Sequence, residues 1–322
     1  NNLEGRRFYL DQVYQLKSND SLGYNGINIG STIYIEDKYY QFKQDQKVDF
    51  FGDAFVSSKL TDKNTFEHFY TALNVDYTNK TIGRLSAQLG YNSFNYGYNA
   101  LVILDGQTIS NRLKESTLSF EGGYDKQLGP VLLKADLGIN VAGDLDGNYL
   151  NAQADYQINS DLQLMAKLNM NSSAANYNYR LHQSDYLNYN WQNNFKNQQT
   201  QQLAFELTSY KYGTLSADYS TISNFLFFEN KESQGVKPYQ YDGTINYARV
   251  KYEKEFKFGN FALNNTLLYQ QVFEGDQVFN VPQINTRNTF YYSNTFFDKA
   301  LFLQTGINFH YFTAYNMNAY DP

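Results

Sequence analysis

Cysteine is absent from the 322 residues. Disulfide frameworks, thiolate zinc sites and cysteine nucleophiles are therefore excluded. Proline is scarce, at 4 residues, which suits long uninterrupted strand ladders. Histidine occurs three times, at His68, His182 and His310, too scattered along the chain to read as a metal site. No apolar run reaches the ~18 residues that a membrane helix needs. The formal net charge is −6 and no basic stripe is present, so nucleic acid is not an expected partner. The serine-hydrolase elbow, the zinc-hydrolase helix motif, the phosphate loop and the glycine-rich dinucleotide turn are all missing. The expectation is a protein that is not an enzyme and that uses no cofactor and no metal.

What is present is aromatic and amide-rich, with 31 Tyr and 25 Phe. The mean hydropathy of −0.59 suggests a soluble chain, but period-two alternation erases a membrane signal on averaging. The stretch from Ala300 to Thr313 shows this alternation. Leu301, Leu303, Thr305, Ile307, Phe309 and Tyr311 fall on one side, and Gln304, Gly306, Asn308 and His310 on the other. Such a ribbon has one apolar and one wetter face, and about ten residues suffice for a tilted strand to cross a bilayer.

The pattern recurs. Weakly patterned strands are expected over Phe8 to Leu16 and Gly23 to Ile35, then a mostly polar loop over Glu36 to Thr65. Clear alternation begins at Phe66. Leu133 and Leu137 alternate with Lys134 and Asp136, Leu150 with Asp155, and Leu164 and Leu168 with Lys167. After a long connection over Asn95 to Lys114, turns rich in Gly, Asp, Asn and Ser separate the strands. Short turns and long loops alternate only if residues 171–200 form one long outer loop, so Tyr186 to Phe195 is read as loop and not as a crossing.

These features predict an all-β fold, a transmembrane antiparallel β-barrel with about fourteen strands in this chain. A soluble sheet also alternates, but its strands cluster near five or six residues. The wet faces also carry too many charges for a dry core. Expected lumen-lining residues are Arg84, Glu121, Lys134, Asp136, Asp155, Lys167, Glu206, Asp218, Arg249, Lys251, Glu253 and His310. Expected lipid-facing residues are Leu133, Leu137, Leu150, Leu164, Leu168, Leu303, Ile307 and Phe309. Two further sets of residues have weaker patterns. Asp144 and Asp146, between Gly143 and Gly147, resemble part of a calcium loop but read better as a solvated hairpin tip. His182 and Ser184, two apart, have the spacing of a strand-borne hydrolase pair but fall in the long loop.

Several segments in order resemble one family. They are Tyr189-Asn190-Trp191-Gln192-Asn193-Asn194-Phe195-Lys196, Asn224-Phe225-Leu226-Phe227-Phe228, Pro238-Tyr239-Gln240, Lys257-Phe258-Gly259, Thr266-Leu267-Leu268-Tyr269-Gln270, the run from Phe297 to Gly306, and Tyr315 to Pro322. Together they are similar to the "putative porin" family of Bacteroidota outer-membrane barrels. The resemblance covers roughly the second half of the chain well and the first half in general character. It implies one barrel domain over residues 1–322, incomplete at both ends, of about sixteen to eighteen strands when whole. It also implies location in the bacterial outer membrane. The implied function is passive passage of small hydrophilic solutes; the alternative is a non-transporting barrel subunit of an outer-membrane secretion or assembly complex. Implied partners are outer-membrane lipid and, as candidates, further copies of the chain or other outer-membrane proteins and lipoproteins.

Overall fold

The computed structural model describes residues 1–16, 25–104, 106–231 and 235–316. Gly23 and the stretch from Met317 to Pro322, both invoked above, lie outside the described residues. Fourteen strands form one antiparallel sheet in which each sheet neighbour is also the next long strand of the chain. They are β1 (Asn2–Leu16), β2 (Gly26–Gln46), β3 (Ser58–Asn79), β4 (Gly83–Tyr98), β5 (Arg112–Leu128), β6 (Val131–Gly143) and β7 (Gly147–Gln157). The second half continues with β8 (Leu162–Ser173), β9 (Gln198–Ser209), β10 (Gly213–Ser223), β11 (Thr244–Phe258), β12 (Phe261–Glu274), β13 (Ile284–Phe296) and β14 (Leu301–Phe312). Among the described residues β1 pairs only with β2 and β14 only with β13, so the sheet is open between them.

Residues opposite one another in a ladder share a face, so register sorts the side chains. One row runs Asn28, Asp76, Ser86, Gly123, Asp136, Asn151, Asn169, Gln202, Ser220 across nine strands. The row beside it runs Ile29, Val75, Ala87, Gly122, Leu137, Leu150, Met170. A shift of one residue exchanges a polar row for an apolar one, which fixes the register. Among the described residues the apolar face has no second layer to pack on. Leu73 is 64% exposed, Ile307 75% and Phe309 60%, an arrangement that water does not tolerate over so large a surface and lipid does. Among the described residues the fully buried large side chains are instead Leu60, Leu181 and Ile245. Two of these, Leu60 and Leu181, lie where a connecting segment folds against the sheet.

Two expectations need correction. The stretch from Glu36 to Thr65 is mainly strand, because β2 continues to Gln46 and β3 starts at Ser58. The connection expected over Asn95 to Lys114 is shorter, since β4 runs to Tyr98 and β5 begins at Arg112. The physical reason is common to both. Beyond Ile35 and Phe69 the outward side becomes polar, with Asp37 opposite Glu67 and then Tyr39 opposite Thr65. A strand that projects past the bilayer loses the apolar half of its alternation but keeps its ladder.

The tight-turn edge of the sheet contains a repeated clasp. Gly83 and Gly213, at φ of +103° and +91°, end two turns whose flanks share the pattern Thr-x-x-x-x-Gly-x-Leu-Ser-Ala, at residues 78–87 and 208–217. On the adjacent strand the Tyr124 hydroxyl donates to the Ile82 carbonyl at 3.0 Å and Lys126 Nζ to the Lys80 carbonyl at 2.8 Å. In the same way the Tyr252 hydroxyl donates to the Tyr212 carbonyl at 2.6 Å and Lys254 Nζ to the Tyr210 carbonyl at 3.2 Å. A side chain at either glycine would meet the backbone carbonyl of Asp125 or Glu253. Tyr and Lys at this edge match the interfacial girdle of a membrane barrel.

Candidate functional site

All twelve residues expected to line the lumen lie on the polar face, and all eight expected to meet lipid lie on the apolar one. The ladders place Lys134 opposite Gln153, Asp155 opposite Leu132, Lys167 opposite Ala204 and His310 opposite Arg287. They place Leu137 opposite Leu150, Leu164 opposite Leu207, and Ile307 opposite Phe290.

The polar face is built from opposed charges held in register. Arg84 donates to Asp76 through Nε at 3.0 Å and Nη2 at 2.7 Å, and lies 3.6 Å from Asp125. Arg249 Nε reaches both oxygens of Asp218, at 3.1 and 3.0 Å, and Lys251 pairs with Glu253 at 2.6 Å. Amides and hydroxyls complete the wall. Tyr149 donates to Glu121 at 3.2 Å, Gln153 to Asp155 at 2.9 Å, Thr208 to Glu206 at 3.3 Å, and Asn169 to Gln202 at 2.9 Å. In contact with water such pairs stabilise by ~0–1 kcal/mol each. Their consequence is a face rich in fixed dipoles of both signs.

Residues 174–197 leave β8 and return to β9, yet they fasten to β2–β5. A one-turn helix, Tyr177–Arg180, begins at Asn176, whose Oδ1 accepts from Asn178 N. Tyr177 stacks on Tyr96 at 5.2 Å and lies against Phe66 and Phe94. Arg180 forms an ion pair with Glu115, both largely buried. Ser184 Oγ donates to Asp62 at 2.5 Å, and Asp185 accepts from Thr61 N at 2.7 Å. The Tyr186 hydroxyl donates to Gln44 at 2.7 Å. At its root Asn197 donates to the Asp146 carbonyl at 3.0 Å, and Lys196 exchanges two bonds with Gln240. Phe66, Asp62 and Tyr96 belong to the polar face. A segment rooted at β8 and β9 that reaches that face of β2–β5 makes it the concave side of the sheet, and the segment crosses it.

His182 sits at the centre of this contact. Its Nδ1 is 2.9 Å from the Tyr98 hydroxyl and its ring stacks on Trp191 at 4.6 Å. Burial holds the imidazole neutral and lowers its pKa from 6.5 to about 4. The docked segment therefore has its full stability above pH 6.5. As pH falls from there towards 4, the released segment takes up a proton that the docked one refuses, and docking weakens by on the order of 3 kcal/mol. Trp191 is the only tryptophan, so its emission should change between pH 6.5 and 4 and remain constant from 6.5 to 8. Emission indifferent to acid would contradict this assignment.

His182 and Ser184 do not act on one another here. The serine hydroxyl is committed to Asp62 and the imidazole to Tyr98. Asp144, considered above as half of a calcium loop, instead accepts from Ser116 N at 2.8 Å and ties the hairpin to β5. Asp62, Tyr98 and Glu115 carry no local signal of a site. Asp62 falls in the stretch expected as loop, and Tyr98 and Glu115 fall at or next to the expected connection over Asn95 to Lys114. The alternation of Asn64, Phe66 and His68 continuing back to Asp62 is the signal that identifies that strand.

A curved antiparallel sheet with a polar concave face and an apolar convex one defines the wall of an outer-membrane β-barrel. The chain belongs to the "Putative porin" family, whose model matches residues 1–322, and its location is the bacterial outer membrane. No curated protein matches the sequence. Among solved structures, the siderophore receptor PirA from Acinetobacter baumannii superposes with a TM-score of 0.59 at 9% identity, over 89% of this chain and 48% of that one. The copper transporter OprC superposes at 0.59 with 12% identity, over 90% and 51%. The ferric enterobactin receptor PfeA from Pseudomonas aeruginosa, an R480A mutant in complex with enterobactin, does so at 0.61 with 8% identity, over 95% and 50%. The chain spans about half the length of these structures. At such identity the likeness concerns fold alone.

Proposed function

We propose that the protein is a porin-like barrel through which small hydrophilic solutes pass down their gradients. The observation that carries this is the row from Asn28 to Ser220, polar at every position but Gly123, with the Arg84–Asp76 and Arg249–Asp218 pairs on the same face. Opposed charges across a water-filled passage favour small polar solutes over apolar ones. The segment over residues 174–197 narrows the passage and limits the size of what crosses. Full-length protein in planar lipid bilayers should give stepwise conductance, and vesicles containing it should swell in small sugars. Silence in both assays would overturn the proposal.

A second reading rests on the same segment. Its fastening to β2–β5 would suit a plugged, non-transporting barrel in a secretion or assembly complex. Stoichiometric partners after gentle solubilisation, with no conductance, would favour it.

A further inference from the structure

Between the docked segment and the outer ends of β2–β4 is a pocket of about 150 Å³. This is smaller than the ~300–1,000 Å³ of sites for drug-sized ligands, so it suits a headgroup and not a large solute. Six of its ten lining side chains are Tyr or Phe. Phe51, Tyr186 and Tyr189 make a corner, with mutual ring angles of 52°, 76° and 77° and centroids 5.1 to 6.3 Å apart. No lysine or arginine lines the pocket among the described residues, and its one carboxylate is Asp62. Each Asp62 oxygen already accepts one bond, from Ser184 Oγ or from Asp185 N, and each retains a second lone pair.

The geometry points to a binding site for a small organic ammonium, with the cationic head against the aromatic corner and Asp62 as counter-charge. Aromatic faces carry negative quadrupole density and attract such cations, most strongly where water is excluded. A sugar suits the pocket less well, because each hydroxyl would need its own partner. Here Ser184 Oγ donates to Asp62 and accepts from Tyr186 N, while His182 Nδ1 is engaged by Tyr98. The site does not depend on whether solutes pass through the barrel, since binding is measured in detergent without a membrane.

The test titrates full-length protein in detergent, near neutral pH, with choline, with its uncharged carbon isostere dimethylbutanol, and with glucose. Calorimetry is one readout. Emission of Trp191, stacked on the pocket-lining His182, is the other. Choline should bind saturably and at least about tenfold more tightly than the isostere, with no response to glucose. Asp62→Asn should abolish the preference for choline over the isostere. Because that substitution also removes hydrogen bonds of the docked segment, Phe51→Leu, which removes ring contacts with Tyr186 and Tyr189 but no side-chain hydrogen bond, provides a second arm. It keeps apolar bulk, removes the aromatic face, and should weaken choline by about tenfold without altering the unliganded Trp191 spectrum. No saturable binding of choline, equal binding of the isostere, or unchanged affinity in Phe51→Leu would overturn the proposal.

Discussion

Leu137→Arg should destabilise the folded barrel in lipid by about 2–4 kcal/mol. Leu137 lies in the interior of the outward row Val131, Leu133, Ala135, Leu137, Ile139 and Val141 on β6, and its ladder partners Leu150 and Gly122 are also apolar. A guanidinium there faces mid-bilayer hydrocarbon, with the aqueous interface two or more residues away in either direction. Leu133→Arg, near the tight turn at Gly129 and Pro130, should cost only about 0–1 kcal/mol, because a long side chain there reaches the interface. Leu132→Arg should be tolerated, since Leu132 faces the concave side opposite Asp155. Urea titration of vesicle-embedded protein, followed by the gel shift of the folded form, gives all three values. Equal costs at positions 132 and 137 would refute the assignment of faces.

Arg180→Ala should release the segment over residues 174–197 from the concave face. The Arg180–Glu115 pair has 15% and 10% of its two side chains exposed. Removing one member of so buried a pair strands the other charge and costs about 3–5 kcal/mol. Arg180 also lies over the Tyr177 ring at 5.7 Å, so a cation–π contact and its packing are lost too. Trp191 emission should move to that of a solvent-exposed indole, and single-channel conductance should rise and become noisy. Replacing both partners by apolar residues, Arg180→Met with Glu115→Leu, should restore most of the docking, because no charge is then left buried. Unchanged emission and conductance in Arg180→Ala would mean that the aromatic contacts of Tyr177 and the Asp62 bonds hold the segment unaided.

The contrast between these two variants explains what was legible in the sequence. Leu137 and Asp136 are assigned to faces by alternation alone, because a strand with lipid on one side and water on the other must alternate. Both face assignments follow from that rule, and the count of about fourteen strands also needs the alternation of short and long connections, which keeps Tyr186 to Phe195 from counting as a crossing. The extensions of β2 and β3 were missed because, outside the bilayer, Asp37, Tyr39 and Lys63 replace the apolar half of the signal. The docking of residues 174–197 was missed for a different reason. Parity of short and long connections shows that the segment does not cross, but the contacts of Arg180 with Glu115 and of Ser184 with Asp62 span 65 and 122 residues. Only the curvature of the sheet brings those residues together, and no local pattern encodes it. The turn glycines Gly83 and Gly213 are an intermediate case, since the shared Thr-x-x-x-x-Gly-x-Leu-Ser-Ala pattern is visible in the sequence and its clasping lysines are not.

The sheet is a wall with water on one face and lipid on the other. The absence of cysteine makes this directly testable, since single cysteines can be placed at successive positions of β8 from Gln163 to Met170 without background. A membrane-impermeant maleimide applied to native outer membranes should label Gln163, Met165, Lys167 and Asn169 positions strongly, and Leu164, Ala166, Leu168 and Met170 positions weakly. Labelling that is uniform along the strand, or strongest at the leucine positions, would contradict the account.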